Sequence, residues 1–268
     1  MPVVLHCGRP QSSGRGLKRM ARTGAALRTL IVLLLIWQGA VWLFQPPRYI
    51  LPSVADVAAV FVAQGDYLAR HTLTTLTEIA LGFVFGATFG ALAAFFVAAI
   101  PRLGRLVWPM LLVLQALPVF VIAPLLVVWF GFGMLSKVVM TTIIIFFPVA
   151  SAFADGLRRI DPEVLDATAL AGASHWQTLV DIRAPLALPA LMTGLRVSAP
   201  LAPLGAVVGE WVGASAGLGF VMGQANARMQ TATAFAAMVI VAMLSLGLRA
   251  IVDEAARHVA PWAQEQEP

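Results

Sequence analysis

The sequence predicts an all-α membrane protein of six transmembrane helices. Of its 268 residues, 60% are hydrophobic and only 12% charged, where a soluble domain carries about 25% charged residues. The mean hydropathy is +0.86. The apolar residues gather in runs near the roughly 20 residues that a membrane helix needs. About six such runs fill the chain and leave no room for a large soluble domain.

Residues 1–26 carry Arg9, Arg15, Lys18, Arg19 and Arg22 among Gly and Ser, and are expected to form a basic, disordered tail. Cys7, the only cysteine, lies there, so no internal disulfide is possible. The first span is expected at 28–44, opening a six-span domain over 27–255. Its apolar run exceeds the roughly 7–15 residues of a signal peptide's core. It also runs into Gln45, Pro46 and Pro47 rather than small residues, so it reads as a retained helix.

Residues 51–70 are too interrupted to span. Val54, Val57, Ala58, Phe61 and Val62 recur at helical spacing behind Ser53, a candidate N-cap. The pattern suits an amphipathic helix on the outer surface, either resting on the membrane or forming part of a docking face. Further spans are expected at 72–100, 106–130, 134–154, 186–210 and 230–252, with a cytoplasmic tail at 256–268. Gly82, Gly86 and Gly90 recur every four residues in the second span, a spacing that lets helix backbones approach closely. Pro118 and Pro124 interrupt the third span, Pro148 the fourth, and Pro200 and Pro203 the fifth. Carbonyls freed at membrane depth must be buried or line a cavity.

With the N-terminus in the cytoplasm, only Arg48, Arg70, Lys137 and Arg228 fall outside, leaving 14 of the 18 basic residues inside. The positive-inside rule selects this orientation. Both termini and the polar break at 155–185 are then cytoplasmic. Membrane topology therefore accounts for the net charge of +5 without a nucleic-acid partner.

Within that break, Asp161-Pro162-Glu163 is a helix start: an N-cap, a proline at the first helical position, and an acid at the positive end of the dipole. Gly172 stands where the chain must turn left-handed at the helix end. Ser174, with Gln177 three residues on, is the capping box of a second helix. The small residues Ala167, Ala169, Ala171, Gly172 and Ala173 make a narrow elbow that suits a groove on a partner.

This stretch resembles the EAA loop of binding-protein-dependent ABC importer permeases, which reads E-A-A, three residues, G, nine residues, I-x-L-P. Asp166-Ala167-Thr168 stands for E-A-A, Gly172 falls at the required spacing, and Ile182 and Pro185 follow in register. Thr168 and Ala184 depart from the pattern. The resemblance extends over about 50–252. It is strongest to the nitrate, sulfonate and taurine branch, through LPSVADV, ARHTLTTLTEIALGF and GLRVSAPLAPLGAVVGEW. In that branch the position of Glu78 is more often basic. GEWVGASAGLGF with NARMQT looks like permeases that import a pyrimidine precursor of thiamine.

The resemblance implies a type I ABC importer permease fold in the bacterial inner membrane. It also implies a second permease subunit, in a homodimer, and a periplasmic or lipid-anchored binding protein that delivers the solute. The loop at 158–186 would be the coupling helix that docks on a cytoplasmic ATPase dimer, through Asp166, Ala167, Thr168, Gly172, Ala173, His175, Trp176, Ile182 and Pro185. The chain has no GxxxxGK[ST] phosphate loop. ATP and Mg would therefore sit on the partner ATPase, and no cofactor on this chain. The implied solute is an aminopyrimidine thiamine precursor or a sulfonate, taurine or nitrate.

Acids at membrane depth face the protein interior or a cavity by default. Glu210, beside Trp211, would contact a heteroaromatic solute, cap a gate or pair with Arg228. Glu78 would bond neighbouring helices. Gln115, Asn226 and, more weakly, Gln224 are further pathway candidates, while Met222 and Met229 suit packing. His6, His71, His175 and His258 show no metal spacing and no nucleophile-base arrangement. The acids also suit a proton-coupled secondary transporter, which would not need the EAA-like loop. A membrane enzyme would need clustered His, Asp or Glu at the span ends, and the sequence has none.

Overall fold

A computed structural model describes residues 14–116 and 118–262, which are helical throughout apart from short connections. In order these are α1 (Gly14–Phe44), α2 (Val54–Ala63), α3 (Gly65–Ala99), α4 (Pro101–Ala116), α5 (Val119–Phe130) and α6 (Met134–Arg158). Then come α7 (Pro162–Leu170), α8 (His175–Gln177), a π-helical turn (Thr178–Arg183), α9 (Ala184–Ser198), α10 (Leu201–Gly213), α11 (Leu218–Ala227) and α12 (Thr231–Val259). The tail was expected to be disordered, yet α1 already begins at Gly14 within it; residues 1–13, Cys7 among them, lie outside the described residues.

Helix α6 is the centre of the fold, with α3, α9, α10 and α5 packed around it. The stripe Gly82, Gly86 and Gly90 is the reason α3 and α6 come so close. A Cβ on Gly86 would stand 2.6 Å from Ile145 Cβ, and one on Gly90 would stand 2.7 Å from the Phe146 carbonyl. Real Cβ atoms do not sit that near, so only glycine permits this contact. Ile145 and Val149, both fully buried, fill the seam together with Ile79, Ala202 and Ala206.

Four helical stretches are long and apolar enough to cross a bilayer: Gly65–Ala99, Met134–Arg158, His175–Ser198 and Thr231–Val259. Helices α10 and α11, bent by 50° at the break between them, are apolar enough together for either a broken crossing or a re-entrant loop. Length and composition alone thus account for four or five of the six spans read from the sequence. The apolar part of α1, Arg28–Phe44, is a shorter helix. The third expected span breaks into α4 and α5 around Pro118.

The fifth expected span, 186–210, is not one helix. It starts earlier, at His175, and is interrupted after Ser198 at Pro200, whose ring excludes the carbonyl four residues back. That carbonyl, on Arg196, accepts instead from Arg249 Nη1 at 3.0 Å. Asp253 joins the same clamp between α9 and α12, 3.0 Å from Arg196 and 3.2 Å from Arg249.

The segment 51–70 also differs from the single surface helix expected. It breaks at Gln64, and α3 begins at Gly65, seven residues before the expected span. The Ser53 cap forms as read, in a capping box with Asp56: Asp56 N donates to Ser53 Oγ, and Ser53 N to Asp56 Oδ2, both at 3.1 Å. The Ser53 hydroxyl also donates to that carboxylate at 2.7 Å, which holds the Asp56 carboxyl below its ordinary range.

Candidate functional site

The loop at 158–186 is built by its caps. The Asp161 carboxylate accepts from Glu163 N at 3.0 Å and opens α7. At the other end, Gly172 takes φ +74°. Its N–H donates to Ala169 O at 3.0 Å, and Ala173 N donates to Thr168 O at 3.1 Å. This pair of bonds is a Schellman closure, which satisfies carbonyls that the last helical turn would otherwise leave open. Ser174 N then donates to Gln177 Oε1 at 2.8 Å, and Gln177 N to Ser174 Oγ at 3.3 Å. The helix, left-handed glycine turn and capping box read from the sequence are all present.

No residue of α7 is buried. Asp166, Ala167 and Gly172 are exposed, Thr168 and Ala173 half-buried, and Leu170 is 90% exposed. Thr168 donates its hydroxyl to Leu165 O at 2.7 Å.

The return limb is anchored. Leu179 is fully buried among Ala94, Phe153, Leu157 and Ala187. His175 Nε2 lies 3.2 Å from Ala99 O at the end of α3, and the Trp176 ring lies 6.5 Å from that of Phe95. Both residues, expected at a docking contact, thus have partners within the chain, although Trp176 stays 55% exposed. Ile182 and Pro185 are half-buried at the start of the fifth span. The π-helical turn just before Pro185 has a physical reason: a wider turn draws the Asp181 carbonyl away from the proline ring. Arg158 rests its guanidinium 4.9 Å from the centre of the Trp108 ring and fastens the loop's other root.

The pathway candidates are not brought together. Gln115 and Asn226 are exposed on α4 and α11, and Trp211 is 60% exposed on α10. Glu210 is only 1% exposed. It does not pair with Arg228. Its carboxylate accepts instead from Thr75 Oγ1 at 2.6 Å and from Gly219 N. Thr75 in turn accepts from Leu218 N at 2.7 Å, and His71 Nδ1 accepts from Gly217 N at 2.9 Å.

The first turn of α11 is therefore capped by Glu210 from α10 and by two side chains of α3, His71 and Thr75, 146 and 143 residues away in sequence. Gly217, at φ +109°, is required because a Cβ there would strike the Glu210 carboxylate. Glu78, expected to bond neighbouring helices, is 2% exposed on α3, and its Oε2 has no hydrogen-bond partner.

Lys137 is the residue that sequence reasoning missed. Read as an outside loop residue, it is 1% exposed. Its ammonium donates to the carbonyls of Phe132, Gly133 and Gly213, the second at 2.9 Å. A lysine at the head of an apolar run, in a chain with two intramembrane acids, was the available signal.

A cavity of about 630 Å3 opens between α2, α3, α11 and α12, lined among others by Asp66, Arg70, Gln224, Arg228 and Gln230. Of the residues proposed for the pathway, only Gln224 borders it. Met222 packs in the core beside it as expected, whereas Met229 is exposed in a left-handed turn at φ +56° rather than packed.

The described residues form a bundle of long apolar helices around a glycine seam, with one capped polar loop. Residues 86–265 match the family described as binding-protein-dependent transport system inner membrane component. The chain is 46% identical over 222 residues to an ABC transporter permease protein of Haemophilus influenzae, covering 83% of this chain and 91% of that one. It is 36% identical to the riboflavin transport system permease protein of Chloroflexus aurantiacus, covering 87% and 88%. It is 30% identical to the formylaminopyrimidine transport permease protein of Halalkalibacterium halodurans, covering 88% and 94%. Its fold matches a chain of the methionine ABC transporter MetNI in an inward-facing conformation, at TM-score 0.63 and 21% identity, over 72% of this chain and 95% of that one. The protein belongs to the family of binding-protein-dependent ABC transport permeases and is a transport subunit, not an enzyme.

Proposed function

We propose that this chain is the membrane-spanning subunit of an ATP-driven importer in the bacterial inner membrane, and that α7 with the Gly172 turn is its coupling element. The observation that carries this reading is α7 itself. It is capped at both ends, has no buried residue, and presents Leu170 at 90% exposure. A helix with no fully buried residue gains little from packing in its own chain, where most helical stability arises. A partner groove is the natural place for that surface.

In this reading α1 and the α4–α5 pair join the four long helices to make six membrane segments, the bent α10–α11 pair is a re-entrant loop, both termini are cytoplasmic, and two copies of the chain assemble. A cytoplasmic ATPase dimer holds ATP and Mg and receives the loop of each copy. A binding protein outside delivers the solute. Closure of the ATPases on ATP draws the two loops together, and α9 carries the motion into the core as a rigid-body rotation. ATP shifts the two states only by its differential affinity for them, so the loop must be stiff. The Schellman closure, the Ser174 box and the Leu179 anchor supply that stiffness.

The proposed solute is a nitrogen heteroaromatic of the pyrimidine or flavin class, supported by the riboflavin and formylaminopyrimidine relatives. The test is uptake into proteoliposomes that hold the permease, its ATPase and its binding protein. ATP-dependent uptake of labelled aminopyrimidine or riboflavin, in preference to taurine, is expected. Preferred uptake of taurine would overturn the solute. Uptake driven by a proton gradient without the ATPase would overturn the class.

A further inference from the structure

We propose that the cavity between α2, α3, α11 and α12 is a phosphate site, and that the headgroup of an anionic phospholipid fills it. The placement of basic residues points there first. A membrane protein keeps few of them outside, and four were expected outside here. Lys137 donates to three backbone carbonyls, and Arg48 lies 3.9 Å from the Asp56 carboxylate. The remaining two, Arg70 on α3 and Arg228 at the end of α11, line this one cavity.

The fold gives these two guanidiniums no partner of opposite charge. Asp66 also lines the cavity, yet among the described residues neither arginine forms an ion pair. Arg70 Nε donates to the backbone carbonyl of Asp66 at 3.3 Å, which orients the guanidinium and leaves its terminal N–H groups for a ligand. The Arg228 side chain has no hydrogen bond among the described residues. Gln224 and Gln230 bring amide groups to the same lining. Thr233, buried at the head of α12, brings a hydroxyl that has no partner among the described residues. A buried hydroxyl left unpaired costs free energy, and a ligand oxygen would remove that cost.

Size and charge select the ligand. The volume of about 630 Å3 lies within the roughly 300–1,000 Å3 of small-molecule sites. One guanidinium fork fills the two oxygens of a carboxylate, whereas a phosphate presents oxygens enough for two forks. Two arginines against one aspartate leave the lining one positive charge in excess. A phosphodiester is a monoanion and balances it. Asp66 and Arg70 also border a second hollow, of about 420 Å3, that follows one face of α3 to the exposed Leu73. The chains of a lipid leave by that route into the bilayer, and a free phosphate has no use for it. Basic pockets between membrane helices take lipid headgroups in this way. The outer leaflet as the source rests on the orientation proposed above; the site itself does not.

The test uses the purified permease in nanodiscs of phosphatidylcholine, with and without phosphatidylglycerol. No transport is involved, so its failure is separate from failure of the importer reading. Phosphatidylglycerol should raise the melting temperature of the wild type and remain bound in its native mass spectrum. Arg70→Gln and Arg228→Gln should each weaken that retention about 10- to 100-fold, the loss of one charge-assisted contact. Their melting temperatures in phosphatidylcholine alone should match the wild type. A second arm titrates inorganic phosphate into phosphatidylcholine discs against chloride at equal ionic strength. Stabilisation there, lost in both variants, would support the phosphate site and overturn its lipid occupant. An equal response of wild type and both variants in both arms would overturn the whole proposal. So would weaker docking of the binding protein in the variants with lipid and phosphate binding unchanged.

Discussion

Replacing Gly172 by valine isolates the loop's stiffness from its chemistry. A Cβ at Gly172 meets nothing within 4 Å, so the substitution creates no clash. The cost lies in the backbone, since φ is +74°, and a left-handed conformation costs a non-glycine residue about 1–2 kcal/mol. No residue of α7 is buried, so that strain falls on the loop and not on the membrane core. If the left-handed turn is required for docking, the same energy weakens ATPase engagement about 5- to 30-fold. Substrate-stimulated ATPase activity in reconstituted complexes is the assay, with the melting temperature of the permease as control. Gly172→Asn, which tolerates the left-handed region, should fall much less. Wild-type stimulation in Gly172→Val would refute the reasoning, and so would a loss accompanied by collapse of the permease itself.

Other outcomes follow from the same contacts. Leu170→Ser should weaken ATPase assembly by about 1.5–3 kcal/mol, the burial energy of one leucine, without shifting the permease's melting temperature; co-purification across a salt and detergent series would show it. Gly86→Ala forces a Cβ to within 2.6 Å of Ile145 Cβ and should destabilise the core by about 1–3 kcal/mol, whereas Gly39→Ala, with nothing within 4 Å of its Cβ, should be neutral or slightly stabilising in an unfolding titration. Lys137→Met leaves the carbonyls of Phe132, Gly133 and Gly213 without their donor and should cost about 1–3 kcal/mol for each acceptor left unsatisfied, read from the same unfolding midpoints.

The sequence carried the local features and lost the distant ones. Ser53, Asp161, Gly172 and Ser174 cap helices through bonds that span two to five residues, so their spacing alone revealed them. The glycine stripe was legible because a four-residue period fixes one helix face. The fold of 211–229 was not legible. It reads as a polar break, yet α11 forms there because His71 and Thr75, about 140 residues away, cap its first turn together with Glu210. The same blindness misplaced Lys137, whose three carbonyl partners include Gly213, 76 residues away. The break of the fifth span at Pro200 was signalled by the proline, but the partner that satisfies the freed Arg196 carbonyl, Arg249, lies on another helix.

The central claim is that α7 meets the ATPase, and site-directed cross-linking tests it most directly. Cys7 is the only native cysteine, so a Cys7→Ser background carrying Leu170→Cys places a single thiol on the most exposed apolar side chain of the loop. Cross-linking of that thiol to the ATPase subunit in the assembled transporter, modulated by ATP, is the predicted result. An intact, active complex in which position 170 never cross-links to the ATPase would contradict it.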